Sequence, residues 1–375
     1  MGPSAGETSA RPPRLTVAFL LYNAKGDVDA LLRGLVRQAH PAFARQSDWL
    51  CALFVDDASS DGTAEAAARA LSAVGSPPHY RLVVHPRNLG LAETLNETFR
   101  QVSTPYVLTC HLDCRFGSDR YAAAMLELIE AHPRAAAITG QPELPPGTRL
   151  PFAEKLNLVA NLMDIFPAET AKELVPVGFA EGRCDVFRVE ALREVGLYDT
   201  QLRVSGEDQV LAARLREKGY EVYQAPHLAY HLSVSAEQDS VGKILRHQRL
   251  FGRTTPYIVF EVPGSRDGLV GPGAGANRHR RALLRSTQLG ASDVYALVAL
   301  SLLAGWPGWA WGSALVLVAA ARAALFARHA RAVRFSAGEL LAFVLLQPLL
   351  DLAYTAGILE GLLRLARGSR STPID

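Results

Sequence analysis

Two consecutive acids, Asp56 and Asp57, close the apolar run Leu53-Phe54-Val55 and open the turn Ala58-Ser59-Ser60-Asp61-Gly62-Thr63. Carboxylates leaving a buried strand accept N–H and O–H donors. Open α/β sheets bind ligands at the carboxyl ends of their strands, so the pair suits a polar ligand such as a nucleoside. A βα turn in which Ser60 or Asp61 caps a helix from Thr63 to Leu71, its acids merely solvated, fits the same residues. A further acid closes an apolar strand at His111-Leu112-Asp113-Cys114-Arg115. Gly206-Glu207-Asp208 precedes a helix over Gln209 to Lys218, stopped by Gly219; acids there either complement the helix dipole or do chemistry.

The elements that must hold these acids follow a simple order. Leu15 to Tyr22 is an almost unbroken apolar run ending at Asn23, the pattern of a buried parallel strand. Asp27 caps a helix whose Val28, Leu31, Leu32, Leu35 and Val36 share one face. The strand of Asp56 follows, then an Ala-rich helix, a strand at Tyr80 to Val84, and the loop His85-Pro86-Arg87-Asn88-Leu89-Gly90 opening a helix that contains Asn96. That loop is either a phosphate-receiving helix start or an ordinary capped turn. Alternating strands and helices predict an α/β fold with a mostly parallel sheet. Tyr106 to Leu112 is the next strand, Ala122 to Ala131 an amphipathic helix, Ala135 to Thr139 and Gly182 to Arg188 strands, Val189 to Val195 a helix, and Glu221 to Gln224 a strand before a Pro226 turn.

Composition narrows the class. With 375 residues, 49% apolar and 20% charged, the chain can bury a full core and has room for more than one domain. A net charge of +2 gives no footing for nucleic acid. Cys51, Cys110, Cys114 and Cys184 have neither zinc spacing nor disulfide density. Met1 to Arg14 has no apolar core of a secretory signal, so the domain that follows is expected in the cytoplasm. No G-x-G-x-x-G follows the first strand, which disfavours a dinucleotide oxidoreductase.

Taken in order, Tyr22-Asn23, Val55-Asp56-Asp57-Ala58-Ser59-Ser60-Asp61-Gly62-Thr63, Asn88-Leu89-Gly90, Leu112-Asp113, Gly196-Leu197-Tyr198-Asp199, Gly206-Glu207-Asp208, Arg214-Leu215, Gly219-Tyr220, Pro226 and His231 resemble family 2 glycosyltransferases. The resemblance covers about residues 15–231 and implies the GT-A nucleotide-sugar-binding fold. It implies that Asp56 and Asp57 contact the base and ribose of a UDP-, GDP- or TDP-sugar, within a donor site that includes Tyr22, Asn23, Asn88, Gly90, Asp113 and Arg115. It also implies that Asp208 is the base that deprotonates the acceptor hydroxyl, with Glu207 in support.

The family's D-x-D element holds Mg²⁺ or Mn²⁺ on the diphosphate. Asp113 matches its first acid, but Arg115 stands at the second, and a guanidinium cannot ligate a cation. Three arrangements fit: Asp113 binds the cation with the diphosphate and His231, Arg115 neutralises the diphosphate itself, or the site is degenerate. A lone His such as His231 is as well explained by ordinary hydrogen bonding. Arg246-His247-Gln248-Arg249-Leu250-Phe251-Gly252-Arg253 resembles the R-x-Q-x-x-Y-G-R element of membrane-associated members such as succinoglycan-type glucosyltransferases, with Phe251 for Tyr. The resemblance puts Gln248, Arg249 and Arg253 on the acceptor or diphosphate side; the plain reading is a solvated helix face.

The last third reads as membrane-associated. A Gly-rich linker at Gly264 to Gly275 and Arg278, Arg280, Arg281 and Arg285 precede Val294 to Ala321, a charge-free run longer than the ~20 residues that span a bilayer. Trp306-Pro307-Gly308-Trp309 interrupts it, as a kink or the tip of a hairpin. Arg322, Arg328, Arg331 and Arg334 favour a cytoplasmic loop. Leu340 to Leu359 is apolar but contains Asp351, which would cost on the order of 2.5–3.5 kcal/mol at a bilayer centre. It therefore lies in the interface or faces protein. The expected organisation is a disordered tail over 1–14, a GT-A domain over 15–235, a membrane-approach segment and linker over 236–290, membrane helices over 291–363 and a tail over 364–375. The function expected is an inverting transferase at the inner or plasma membrane, acting on an acceptor that is itself lipid-linked, in cell-surface polysaccharide or glycolipid synthesis. The alternative is a silent sugar-nucleotide-binding scaffold with a degenerate metal site.

Overall fold

The computed structural model describes residues 12–161, 170, 172–202, 206–232, 240–262, 291–298, 300–301, 303–305 and 308–367. The Gly264–Gly275 linker, its following arginines and Trp306-Pro307 lie outside the described residues. Nine strands form one mixed sheet in the order β3-β2-β1-β4-β8-β6-β9-β5, with β7 paired to β9. These are β1 Leu15–Leu21, β2 Leu50–Asp56, β3 Tyr80–Val84, β4 Tyr106–His111, β5 Cys114–Phe116, β6 Ala135–Glu143, β7 Val175–Pro176, β8 Asp185–Arg188 and β9 Glu221–Leu232. The first four run parallel, so their carboxyl ends share one rim.

Alternate residues of β1 feed two cores. Val17, Phe19 and Leu21 pack with α1 (Val28–Val36), α2 (Thr63–Ala73) and α4 (Tyr121–Ala131). Ala18 and Leu20 pack with α3 (Leu91–Gln101), α6 (Val189–Glu194) and α7 (Glu207–Glu217) on the other face. A strand buried on both faces is nearly all apolar, and β1 is buried throughout, its polar Thr16 bonded to Thr104.

Several expected boundaries change: β6 runs on to Glu143, and β8 begins only at Asp185. β9 continues to Leu232 through Pro226, because a register shift opposite β6 absorbs the proline, which needs no ladder donor there. Tyr230, His231 and Leu232 then pair antiparallel with β5, an element too short to show a period of its own. The apolar run from Val294 divides at Gly305, whose φ is +76°, into α9 (291–298 and the turns beyond) and α10 (Gly308–Leu325).

α5 (Phe152–Ala160) and α8 (Val241–Glu261) lie on the sheet domain, and α11 (Ala327–Ala332) leads into α12 (Ala337–Ala366). α12 is long and apolar enough to cross a bilayer by length and composition. It packs on α8 backbone to backbone: a Cβ built on Gly252 would lie 2.0 Å from the Tyr354 carbonyl oxygen, and one on Gly357 2.0 Å from that of Arg249. Gly361 approaches the Arg253 carbonyl in the same way. Gly357→Val must force the helices apart, with an overpacking cost of about 1–3 kcal/mol. A denaturant midpoint lowered accordingly, at unchanged slope, is the expected result; an unchanged midpoint would mean the helices do not approach this closely.

Candidate active site

The rim is laced by backbone–side-chain bonds between the loops after β1 and β2. Asn23 Oδ1 accepts from the Ser60 N–H at 3.0 Å, and Ser59 Oγ accepts from the Asn23 N–H at 2.9 Å. Asp61 accepts from the Lys25 and Thr63 N–H groups. Tyr22 stands exposed on this lacing. Asp56, buried, takes the Ser59 N–H at 3.1 Å and the Ser59 hydroxyl.

Asp57 is buried and bonded three times. Its Oδ1 accepts from the Leu89 N–H at 2.8 Å and sits 2.9 Å from His85 Nδ1, while Oδ2 accepts from the Gly90 N–H at 3.0 Å. The acid thus pins the Asn88–Gly90 turn, where Gly90 has φ +81°, to the end of β2. Asn88 is exposed at the tip of that turn. Both oxygens of Asp57, expected on a base or ribose, accept at least one protein donor here. Asp57→Asn puts an amide N–H against one of these donors and should cost about 1–3 kcal/mol. Faster limited proteolysis at the Asn88 turn is the accompanying signature.

At the end of β4, Asp113 Oδ2 accepts from Arg183 Nη1 at 2.7 Å, and Oδ1 from the Cys114 thiol at 3.4 Å. Arg183 Nε donates to Glu181 Oε2 at 2.9 Å. The turn that presents this arginine is fixed by Gly182, with φ +75°, whose N–H donates to Asp185 Oδ2 at 2.7 Å. Arg183 also receives the His111 N–H on its carbonyl at 2.8 Å, tying the turn to β4.

Arg115 is spent elsewhere. Its Nη1 donates to the Leu112 and Cys114 carbonyls at 2.6 and 2.8 Å, and Nη2 pairs with Asp27. It locks the loop between β4 and β5, and the guanidinium beside Asp113 is Arg183.

Asp208 lies in the first turn of α7, after a left-handed Gly206, and is linked to this group through the charge of Glu181. Burial pushes its pKa well up, with the charges of Glu207 and Glu181 adding to the shift. Burial raises Glu207 as well. Asp113, Arg183, Glu181 and Asp208 therefore form one electrostatic cluster. His231 is half-buried opposite Arg115 in the β5–β9 ladder.

α8 places its residues differently from expectation. Gln248 is buried and donates to Asn161 at 2.7 Å. Arg249 Nε donates to Glu360 of α12 at 2.7 Å, and the Arg253 backbone abuts Gly361. The residue α8 turns to the cluster is His247, held neutral with a pKa of about 4 by burial and then by the charge of Arg183. Neither Arg183 nor His247 was singled out as a site residue from sequence, because neither closes a strand or opens a helix.

Among the described residues no three His, Cys, Asp or Glu side chains converge as a ready-made metal site. One carboxylate and one imidazole, Asp113 and His231, suit a Mg²⁺- or Mn²⁺-type cation only where substrate phosphates and water complete its shell. Asp113 is already paired with Arg183, so the described residues present no cation site of their own.

Residues 16–196 match the sequence profile described as glycosyl transferase family 2. That stretch belongs to glycosyl transferase family 2. The chain is 24% identical over 213 residues to a poly-beta-1,6-N-acetyl-D-glucosamine synthase of Staphylococcus epidermidis, covering 56% of this chain and 48% of that protein. An N-acetylglucosaminyl-diphospho-decaprenol L-rhamnosyltransferase of Mycobacterium tuberculosis is 25% identical, over 52% of this chain and 71% of the relative. The chain thus spans about half the length of the first of these relatives. The mannosyltransferase PcManGT of Pyrobaculum calidifontis, solved with GDP-Man and Mn2+, superimposes with a TM-score of 0.55 at 17% identity, covering 94% of this chain and 87% of its own. The fold is GT-A-like: a mixed α/β sheet flanked by helices.

Proposed function

We propose that the protein is an inverting glycosyltransferase that moves a sugar from a nucleotide-sugar to a hydroxyl of a lipid-linked acceptor. Residues 15–235 form the catalytic unit on the cytoplasmic side of the membrane. The observation that carries the reading is Asp208: at the start of α7 its carboxyl is raised well above the ordinary carboxylate range by burial and by the charges of Glu207 and Glu181, and Glu181 is in turn paired with Arg183. A base for a neutral alcohol profits from a pKa brought toward working pH. The name of the decaprenol-linked relative supports the choice of acceptor class.

In this reading Asp208 takes the proton of the acceptor hydroxyl as its oxygen bonds to the anomeric carbon. The bond from that carbon to the phosphate oxygen breaks, and the nucleoside diphosphate leaves with the electron pair. Attack opposite the leaving group inverts the configuration. Arg183 holds Asp113 in place, and Asp57 fixes the Asn88–Gly90 wall of the donor pocket. A divalent cation, held by Asp113 and His231, would supply positive charge on the leaving diphosphate.

Asp208→Asn should lower turnover about 10²–10⁴-fold while nucleoside diphosphate affinity stays within about twofold. Unchanged turnover removes Asp208 from the role. A wild-type protein that binds nucleoside diphosphate, with or without Mn²⁺, yet releases no sugar is a sugar-nucleotide-binding scaffold instead.

The pH profile supplies a separate check. Asp208 must be ionised to act, so activity falls as pH drops through its raised pKa. Glu207→Gln removes one of the charges that raise it, and the acid limb of kcat/KM should move to lower pH. A limb that moves up or stays fixed contradicts the assignment.

A further inference from the structure

The structure assigns α12 to the membrane surface: we propose that it lies in the plane of a lipid bilayer, with its leucine face in the headgroup–acyl boundary, and does not cross. The inference stands apart from the sugar chemistry. Both ends of α12 are fastened to the catalytic domain. Near the start, Glu339 accepts from Lys155 Nζ of α5 at 2.9 Å, and Phe335 packs on Phe152. Near the end, Glu360 pairs with Arg249, and Gly357 and Gly361 abut α8. Between them Phe343 and Leu350 enter the same core as β1.

α8 is itself seated on the domain along its length. His247 senses the charge of Arg183, Tyr257 donates to Asp199 at 3.0 Å, and Ile258 fills the space beside Gly206. Glu339 and Glu360 are separated by about 30 Å of helix axis, the whole hydrocarbon thickness of a bilayer. A perpendicular α12 would carry one of its two domain anchors to the far side.

The charges of α12 agree. Each of its three acids is neutralised from another element: Glu339 by Lys155, Asp351 by Arg322 at 2.8 Å, and Glu360 by Arg249. The Arg322–Asp351 pair is wholly buried between α10 and α12. What remains outside is a stripe of exposed leucines, including Leu341 at 60% and Leu345 at 67%, continuing through Leu349, Leu352, Leu359 and Leu363. Exposed Arg331, Arg334 and Arg367 flank the helix. An apolar stripe with basic flanks is what anionic lipid headgroups over acyl chains complement.

The test uses the full chain in bacterial membranes, on a Cys51→Ser background, with single cysteines S336C and A366C at the two ends of α12 and S72C on the domain. A membrane-impermeant maleimide is applied to inside-out and right-side-out vesicles. Labelling of all three from the same side is expected; either end of α12 labelled from the side opposite Ser72 overturns the proposal. In a second arm, L345E/L352E should weaken binding of the purified chain to phosphatidylcholine vesicles containing phosphatidylglycerol at least tenfold, at an unchanged melting temperature. Undiminished vesicle binding overturns the proposal. So does a leucine variant whose only effect is to dissociate a dimer, since the occupant of the face is then a second copy.

Discussion

A carboxylate at the end of a buried strand has to find donors, and how each one does so divides the acids of this site. Asp56 takes them from Ser59, Asp57 from the Leu89 and Gly90 amides, and Asp113 from Arg183. These three are met by protein donors. Asp208 receives only the adjacent Gln209 amide among the described residues and sits near two other acids, so its charge is the poorly supported one. Poor support for the anion is what makes a carboxylate basic enough to remove a proton. The same rule, applied four times, separates three acids held by protein donors from one whose charge the fold supports poorly.

Support of this kind depends on α8. The helix is the layer between the transferase site and the C-terminal helices: its His247 meets the Arg183 side, its Ile258 fills the space a Cβ on Gly206 would need, and its glycine face receives α12. A shift of α8 is therefore a shift of the loop that begins α7. Tyr257, bonded to Asp199 alongside Arg214, makes that connection polar as well as steric.

Much of the rim was legible in the sequence because strand-end acids interrupt long apolar runs, and an interruption is visible without knowing what lies opposite. Asp56, Asp57 and Asp113 announce themselves this way, the Glu207-Asp208 pair by opening a helix after Gly206, and β1 through β4 fall close to where periodicity puts them. Arg183 does not, since it lies in a turn whose only sequence mark is Gly182. The family resemblance puts Arg115 on the donor side, at the second position of D-x-D. Its bonds to the Leu112 and Cys114 carbonyls depend on the three-residue strand β5, which pairs with the end of β9 far away in sequence. The length of β9 was missed for the same reason: a proline reads as a stop unless the register shift that accommodates it is known.

The C-terminal helices show the limit of composition more sharply. Hydropathy weighs each side chain as though its surroundings were lipid, so Asp351 counts against burial and the neighbouring leucines for it. In the folded chain the assignment is reversed: Asp351 is fully buried against Arg322, and Leu345 and Leu349 stand outside. An ion pair of this kind is stable only where both charges are held and their remaining bonds are met, and Tyr295 and Gln347 reach the same carboxylate. The pair therefore fixes which face of α12 turns inward. Once that face is fixed, the glycines fall on α8 and the leucines fall on the outside, so a single buried charge sets both the contact between α12 and α8 and the apolar surface left exposed.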